Sequence, residues 1–409
     1  MKSQNKLAST RLAAISTIVF AALFAASASS AAESTETEAQ PQPSLDCKLE
    51  TGACAPWKYV GQTTYAFANE ATRTHAHDAF RLWADEKHAL VAVDMRWDLT
   101  PFMSMPPRAP AGNLLFECGD GAAKCELIKT DSQQQVSHIV GGQGDDRVAE
   151  VETYSADSLN SFDPSYAQSS DRGRTWSPIK LPTACTRKAT CTFAFPAPHR
   201  YVLLVTDISA DSFDAWRTRV FLSKDSARTW TPLTQGEGVA AFRWNAAVTP
   251  RTVDLVQGRD NAPKSITEID DDGRATTVLS NAEQLRGRVG SLLVRGDTLY
   301  ALLDSGAYPA SGARLYAIKS GAATQVWAAN DDSGGAWATP ELLVVDTWNR
   351  QEFIKSVGEF RRTLHVSTDD GAHWQRYVIP DEFTNSEITV AGHRIWAVSG
   401  QGVAYFDAR

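Results

Sequence analysis

The sequence has few methionines and lacks a long apolar segment beyond its first 32 residues. It holds 4 Met in 409 residues, and no later stretch reaches the ~20 apolar residues that a membrane-spanning helix needs. Gly-x-Ser-x-Gly, Gly-x-x-x-x-Gly-Lys and Gly-x-Gly-x-x-Gly are all absent. These absences argue against a multi-span membrane protein, an α/β-hydrolase nucleophile elbow and the common phosphate-binding loops.

An excess of basic charge is also lacking. The formal net charge is -8, and it becomes -11 without residues 1–32, which carry Lys2, Lys6 and Arg11 but no acidic residue. Nucleic acid and anionic membranes are poor partners for such a surface. We therefore expect no nucleic-acid binding, no membrane insertion of the mature chain, and a monomer.

The N-terminus has the composition of an export signal. Basic residues precede an apolar run over 12–25, and small residues follow with cleavage sites at Ala26-Ser27-Ala28 or Ser30-Ala31-Ala32. This pattern predicts a secretory signal peptide over 1–32, a flexible acidic tether over 33–46 and one domain over 47–409. Cys47 lies too far from the apolar run to be a lipobox cysteine, so we expect a periplasmic or secreted protein.

The six cysteines fall into three close pairs, which are Cys47 with Cys54, Cys118 with Cys125, and Cys185 with Cys191. In an exported chain this arrangement predicts three local disulfides, although six cysteines formally allow 15 connectivities. Free thiols or a zinc site are the alternatives. No Cys-x-x-Cys accompanies the pairs, and His75 and His77 lack an evident third ligand, so neither a metal nor a cofactor is expected.

One octapeptide pattern occurs three times, as Ser-x-Asp-x-(Gly/Ala)-x-x-Trp. Alternating apolar residues precede each copy, which predicts a strand, a tight turn and a second strand. The pattern resembles the Asp-box, or BNR repeat, of sialidase-like β-propellers. That resemblance implies a structural role, on the hairpin between the third and fourth strands of a blade and opposite the usual binding face. The residues concerned are Ser169, Asp171, Gly173, Trp176, Ser223, Asp225, Trp230, Ser367, Asp369, Gly371 and Trp374.

The spacing of these hairpins along the chain gives the number of blades. Asp171 and Asp225 are 54 residues apart, and the 144 residues from Asp225 to Asp369 hold three repeats of 48. Weaker hairpins at Asp271 and Ser320 fill that gap. A further one lies at Asp120, where a Cys118–Cys125 disulfide would replace the Ser and the Trp. Three strands remain over 387–407, and a strand within 57–63 would complete them. The sequence thus predicts an all-β, single β-propeller of seven four-stranded blades, closed by an N-terminal strand in the last blade.

Function in such a propeller is expected on the face opposite the repeated turns, where the long loops lie. Those loops carry aromatic residues, methionines and charges that would suit sugar stacking or a protein partner. The candidate binding residues are Trp97, Phe102, Met103, Met105, Phe162, Asp163, Asp211, Asp214, Trp216, Arg286, Arg288 and Asp332.

Two functions follow from this resemblance. Sialidases carry a Phe/Tyr-Arg-Ile-Pro motif and six blades, whereas this chain has Phe80-Arg81-Leu82-Trp83 and a count of seven. Xyloglucanases have seven-bladed propellers but combine two of them around a cleft. We therefore predict a non-catalytic propeller that binds an envelope or extracellular protein, or a glycan. The alternative is a sialidase-like or xyloglucanase-like glycoside hydrolase that uses loop carboxylates among Asp98, Asp163, Asp211, Asp214 and Asp332.

Overall fold

The structure is a computed structural model. It describes residues 53–54, 57–61, 80–94, 113–119, 125–128, 134–153, 164–183, 189–207, 217–234, 241–259, 262–285, 287–304, 312–348, 362–380, 383, 386–399 and 402–408. All of them belong to one compact unit, Leu45–Arg409. The predicted signal peptide and tether lie outside the described residues.

The first four blades are antiparallel sheets whose strands follow one another in chain order. Blade 1 has β3 (Phe80–Ala84), β4 (His88–Asp94), β5 (Asn113–Gly119) and β6 (Glu126–Ile128). Blade 2 has β7 (Gln134–Gln143), β8 (Asp146–Thr153), β9 (Pro164–Ser169) and β10 (Ser177–Pro178). Blade 3 has β11 (Ala189–Ala197), β12 (Arg200–Asp207), β13 (Arg217–Ser223) and β14 (Thr231–Pro232). Blade 4 has β15 (Ala241–Val248), β16 (Thr252–Arg259), β17 (Ala262–Asp270) and β18 (Ala275–Leu279).

The remaining three blades follow the same pattern, and a single-turn 3-10 helix, Ala282–Gln284, precedes them. Blade 5 has β19 (Arg288–Arg295), β20 (Thr298–Asp304), β21 (Ala313–Lys319) and β22 (Ala322–Ala329). Blade 6 has β23 (Asp332–Ala338), β24 (Leu343–Trp348), β25 (Arg362–Ser367) and β26 (Gln375–Val378). Blade 7 has β27 (Glu387–Ala391), β28 (Arg394–Ser399) and β29 (Gly402–Asp407). The predicted seven-bladed propeller is confirmed.

The N-terminal end of the domain closes the ring. Strand β2 (Lys58–Gly61) pairs antiparallel with β29 and forms the outer strand of blade 7, as predicted. Trp57 anchors it, because its ring lies parallel to Phe383 at 6.2 Å and edge-on to Phe406 at 4.8 Å. Strand β1 (Ala53–Cys54) adds a parallel fifth strand to blade 6, against β26. The sequence did not predict β1, because two residues are too short to show an alternating pattern.

The three repeated turns have nearly the same hydrogen bonds. The Ser223 hydroxyl donates to Asp225 at 2.8 Å and accepts the N–H of Ala227 at 2.9 Å. Asp225 also accepts the backbone N–H and the hydroxyl of Thr229, and these bonds lower its pKa to about 2. Ser169 with Asp171, and Ser367 with Asp369, repeat the arrangement. Each turn lies between the third and fourth strands of its blade.

The tryptophan that ends each turn also holds neighbouring blades together. The indole N–H of Trp230 donates to the carbonyl of Lys180 in blade 2 at 2.9 Å. That of Trp374 donates to Val326 in blade 5 at 3.2 Å and to Gly371 of its own turn at 3.0 Å. Trp176 packs within the apolar cluster between blades 1 and 2. The repeated pattern therefore links successive blades as well as shaping each hairpin.

The predicted disulfide between Cys118 and Cys125 is present, with Cα atoms 4.2 Å apart. It joins β5 to the residue just before β6 in blade 1, at the place where blades 2 to 6 carry a hairpin turn. Cys191 is also disulfide-bonded. Its predicted partner Cys185 lies outside the described residues, as do Cys47 and the side chain of Cys54.

Removing the Cys118–Cys125 disulfide should destabilise blade 1. Because the bond closes a loop of only a few residues, the expected loss in the Cys118→Ala/Cys125→Ala variant is about 2 kcal/mol. Urea unfolding of the oxidised variant and the oxidised parent protein measures the difference. A change below about 0.5 kcal/mol would mean that the hairpin is held by its strand pairing alone.

Candidate functional site

The loop-rich face lies largely outside the described residues. This holds for Trp97, Phe102, Met103, Met105, Phe162, Asp163, Asp211, Asp214, Trp216 and Arg286, and for Asp98. Arg288 and Asp332 are described, as the first residues of β19 and β23. Both already have interaction partners within the protein. The structure thus leaves the sequence-predicted site as a prediction and does not bring its residues together.

A groove of about 850 Å³ opens between blades 4 and 5 on the side of the repeated turns. Three turns form its rim, namely residues 249–252, residues 296–297 and Lys319-Ser320. Its walls combine aliphatic side chains, from Val278, Leu292, Val294, Leu299 and Ile318, with polar groups that include the carboxylates of Asp254 and Glu268. A volume of this size is typical of ligand sites, which combine apolar walls with a few polar groups.

Asp254 lies at a position that is apolar in the other six blades. A hydrogen bond from the N–H of Thr249 to the carbonyl of Thr252 closes the turn between β15 and β16, and Asp254 lies two residues after Thr252. The strand registers place the corresponding residues of the other blades against the next blade, with no more than 2% of their surface exposed. These residues are Leu90, Val148, Val202, Tyr300, Val344 and Trp396. Asp254 itself is 3% exposed, so a carboxylate occupies an interblade core position.

The electrostatic environment of Asp254 disfavours its charged form. Burial, and then the nearby charge of Glu268, raise the pKa of Asp254 to about 7. Glu268 lies directly opposite on β17, so the two side chains share one face of the sheet. Arg251 and Lys319 are exposed at the rim. Among the described residues, neither they nor any other base form an ion pair with Asp254 or Glu268. A strongly perturbed acid in a cleft is a candidate functional group.

A metal centre is not supported in the part of the chain that the structure describes. No cluster of three or more His, Cys, Asp or Glu residues is close enough there to hold a metal ion. The Asp270-Asp271-Asp272 run forms a hairpin turn instead. Asp270 accepts backbone N–H groups of the turn, and Asp271 binds Arg200 at 2.7 Å. Nor does any helix among those residues combine the length and apolar character needed to cross a bilayer.

Asp254 is not among the residues predicted from the sequence, because it lies in a strand and the predicted binding residues lie mostly in loops. Thr252-Val253-Asp254-Leu255-Val256 reads as a strand with one acidic residue, which by itself fits a solvent-facing position. A signal was nevertheless available in the repeat. When the blades are aligned on the turn before their second strands, the one acidic residue in an apolar column becomes visible.

Comparison with known proteins supports the fold. No protein-family model and no curated protein match this sequence. A solved structure described as YCF48 bound to D1 peptide is similar, with a TM-score of 0.50 and 14% identity, over 87% of this chain and 97% of its own. The GH74 xyloglucanase from Xanthomonas campestris has a TM-score of 0.50 and 15% identity, over 87% and 54%. Puromycin hydrolase has a TM-score of 0.52 and 13% identity, over 85% and 53%. This chain spans about half the length of the two enzymes, and likeness at this level of identity shows the β-propeller fold alone.

Proposed function

We propose that this chain is an exported, non-catalytic propeller that binds a protein partner, and that the blade 4/5 groove receives an extended segment of that partner. The observation that carries the proposal is Asp254, a buried carboxylate at the edge of an open groove, with no counter-charge among the described residues. Burying such a group is costly unless something compensates it. Sites where a protein keeps a destabilising residue are often functional sites.

The fold is compatible with this function. A protein of the same fold, which this chain matches over 97% of its length, has a structure with a bound peptide. The groove is open along the ends of blades 4 and 5, and its walls offer aliphatic contacts beside the carboxylates of Asp254 and Glu268. An extended peptide uses such a surface by placing alternate side chains into it.

A glycan is the less favoured ligand for this groove. Sugar recognition by stacking needs flat rings, and no aromatic residue lies among the described residues that line it. The aromatic residues that the sequence predicts on the opposite face, such as Trp97 and Phe102, would be the candidates for a glycan. They lie outside the described residues.

A glycoside hydrolase is not favoured by the geometry of the groove. The catalytic carboxyl groups of such enzymes flank the scissile bond and are roughly 5 to 10 Å apart. Asp254 and Glu268 are cross-strand partners, so their Cβ atoms are about 5 Å apart and their side chains point the same way. Two carboxyl groups that lie side by side on one face of a sheet do not flank a glycosidic bond as a catalytic pair does. A hydrolase remains the alternative function for the predicted opposite face, with loop carboxylates such as Asp163, Asp211 and Asp214 as its candidate catalytic groups.

Site-directed photo-crosslinking tests the proposal. A benzophenone amino acid at Asp297, on the exposed rim of the groove, should crosslink a polypeptide in the cell envelope or the medium. The same group at Leu127, which is 53% exposed on blade 1, is the control and should crosslink little. No polypeptide adduct at Asp297, or equal adducts at both positions, would contradict the proposal. Binding in a glycan array without any polypeptide adduct would favour a sugar ligand.

A further inference from the structure

The interface between blades 1 and 2 shows how this fold compensates an acidic residue at the position of Glu268. Glu117 is opposite Leu90 on β5, as Glu268 is opposite Asp254 on β17. Glu117 is 7% exposed, and the guanidinium of Arg172 from the hairpin turn of blade 2 donates a hydrogen bond to it. The cation therefore comes from the next blade in the ring.

The hairpin of blade 5 faces the blade 4/5 groove as the hairpin of blade 2 faces blade 1, but its turn is shorter. In blade 5, Lys319 pairs with Ala322, so the turn consists of Ser320 and Gly321, both with positive φ like Arg172 and Gly173. Ser320 lines the groove together with Glu268. This turn therefore presents a neutral serine to the groove, whereas the turn of blade 2 supplies Arg172 to Glu117. Asp254 adds a second carboxylate where blade 1 has Leu90. The blade 4/5 interface therefore carries more negative charge here than the blade 1/2 interface does, and it has no cation beside that charge among the described residues.

Other interfaces also pair charges from within the chain. Arg200 of blade 3 binds Asp271 of blade 4 at 2.7 Å, and Arg295 of blade 5 binds Asp370 of blade 6 at 3.2 Å. Among the described residues, Asp254 and Glu268 form no such pair. In the part of the chain that the structure describes, these two carboxylates therefore differ from the other interblade acids in having no cation beside them.

We infer that the groove recognises an arginine side chain of the partner, with the guanidinium group placed against Asp254 and Glu268. This inference rests on the proposed function and names the chemistry that the groove selects. A guanidinium has five N–H donors in a planar fork, which can serve two neighbouring carboxylates at once. The aliphatic walls, from Val278 and Leu292 among others, would cover the methylene stem of the arginine.

The charge balance of the groove supports this choice. Glu268 and Asp297 are the other acids that line it, and the exposed Arg251 and Lys319 are its bases. Because water screens the two rim bases, they affect a ligand inside the groove less than the buried Asp254 does. A bound guanidinium favours the ionised form of Asp254, so binding should strengthen as pH rises from 6 to 8.

The test compares two fluorescent pentapeptides, acetyl-Gly-Ala-Arg-Ala-Gly and its citrulline counterpart, which differ only in the charged group. The full exported chain should bind the arginine peptide about 10-fold more tightly or better, because a charge-assisted hydrogen bond is lost with citrulline. Asp254→Asn should remove that preference. Asp272→Asn, which removes an exposed charge outside the groove, is the control and should change the affinity less than twofold.

A second variant supplies a cation to the groove from the chain itself. Ser320→Arg places an arginine in the hairpin turn that lines the groove, so its side chain should occupy the groove, raise the thermal midpoint and weaken binding of the arginine peptide about 10-fold. Equal affinity for both peptides, or unchanged binding after Asp254→Asn or Ser320→Arg, would overturn the inference. If polypeptide adducts at Asp297 persist in that case, the proposed function stands without it. If the adducts are also absent, both fail.

Discussion

Replacing Asp254 with valine is expected to stabilise the folded protein at pH 8 by about 4 kcal/mol. The pKa of Asp254 is about 7 in the folded protein against a usual 3.8, and each unit is ~1.4 kcal/mol of differential stability. Valine stands at the corresponding position of blades 2, 3 and 6, so it fits the interblade core. The free energy of unfolding, measured with urea at pH 8, checks the result.

The pH dependence follows from the direction of the same shift. Since the folded state binds the proton more tightly than the unfolded state, stability from this group is fully present below about pH 4. It is lost as pH rises from about 4 to about 7, and then stays level. The parent protein should therefore lose stability relative to Asp254→Val over this range. Asp297→Val is the control for removing an exposed acid. A destabilised Asp254→Val at pH 8 would mean that the carboxylate has a stabilising partner within the chain.

Arg362→Leu is expected to destabilise the protein by about 3 to 5 kcal/mol. Asp346 is fully buried in blade 6, and the Arg362 guanidinium binds its two oxygens at 2.6 to 2.9 Å. Arg362 also donates to the carbonyl of Ser386 in the approach to blade 7. Removing the arginine leaves a buried charge without a partner, which is the situation that Asp254 already has. Urea unfolding at pH 7 measures the loss.

The double variant Asp346→Leu/Arg362→Leu separates the two contributions to that loss. Apolar replacement of a whole buried pair costs much less than removal of one partner, so the double variant should recover most of the stability. If single and double variants are equally unstable, the loss comes from the Ser386 contact or from packing, and not from an uncompensated charge. The pair also serves as the internal reference for Asp254, since both acids are buried and, of the two, only Asp346 has a cation beside it in the described part of the chain.

Much of the fold could be predicted because the information for each blade is local. Alternation of apolar residues specifies strands, and Ser-x-Asp turns specify tight hairpins, within about 50 residues of chain. Counting those turns gave seven blades, and the leftover strands indicated closure by the segment at Lys58–Gly61. The short separation of Cys118 and Cys125 similarly pointed to a local disulfide. In each case the residues that interact lie near one another in sequence or follow from the repeat.

The candidate site at the blade 4/5 groove could not be predicted in this way. Whether Asp254 faces water or a neighbouring blade depends on strand register and on side chains of β19 to β21. Among the described residues it has no counter-charge, and this depends in part on the turn at Ser320, more than 60 residues away, which carries no cation where the turn of blade 2 has Arg172. The sequence by itself determined the number of blades, the positions of the turns and the closing strand, because local pattern and turn chemistry encode them. Only the tertiary structure decided that Asp254 is buried and that no cation among the described residues lies beside it, because burial and charge pairing arise between blades.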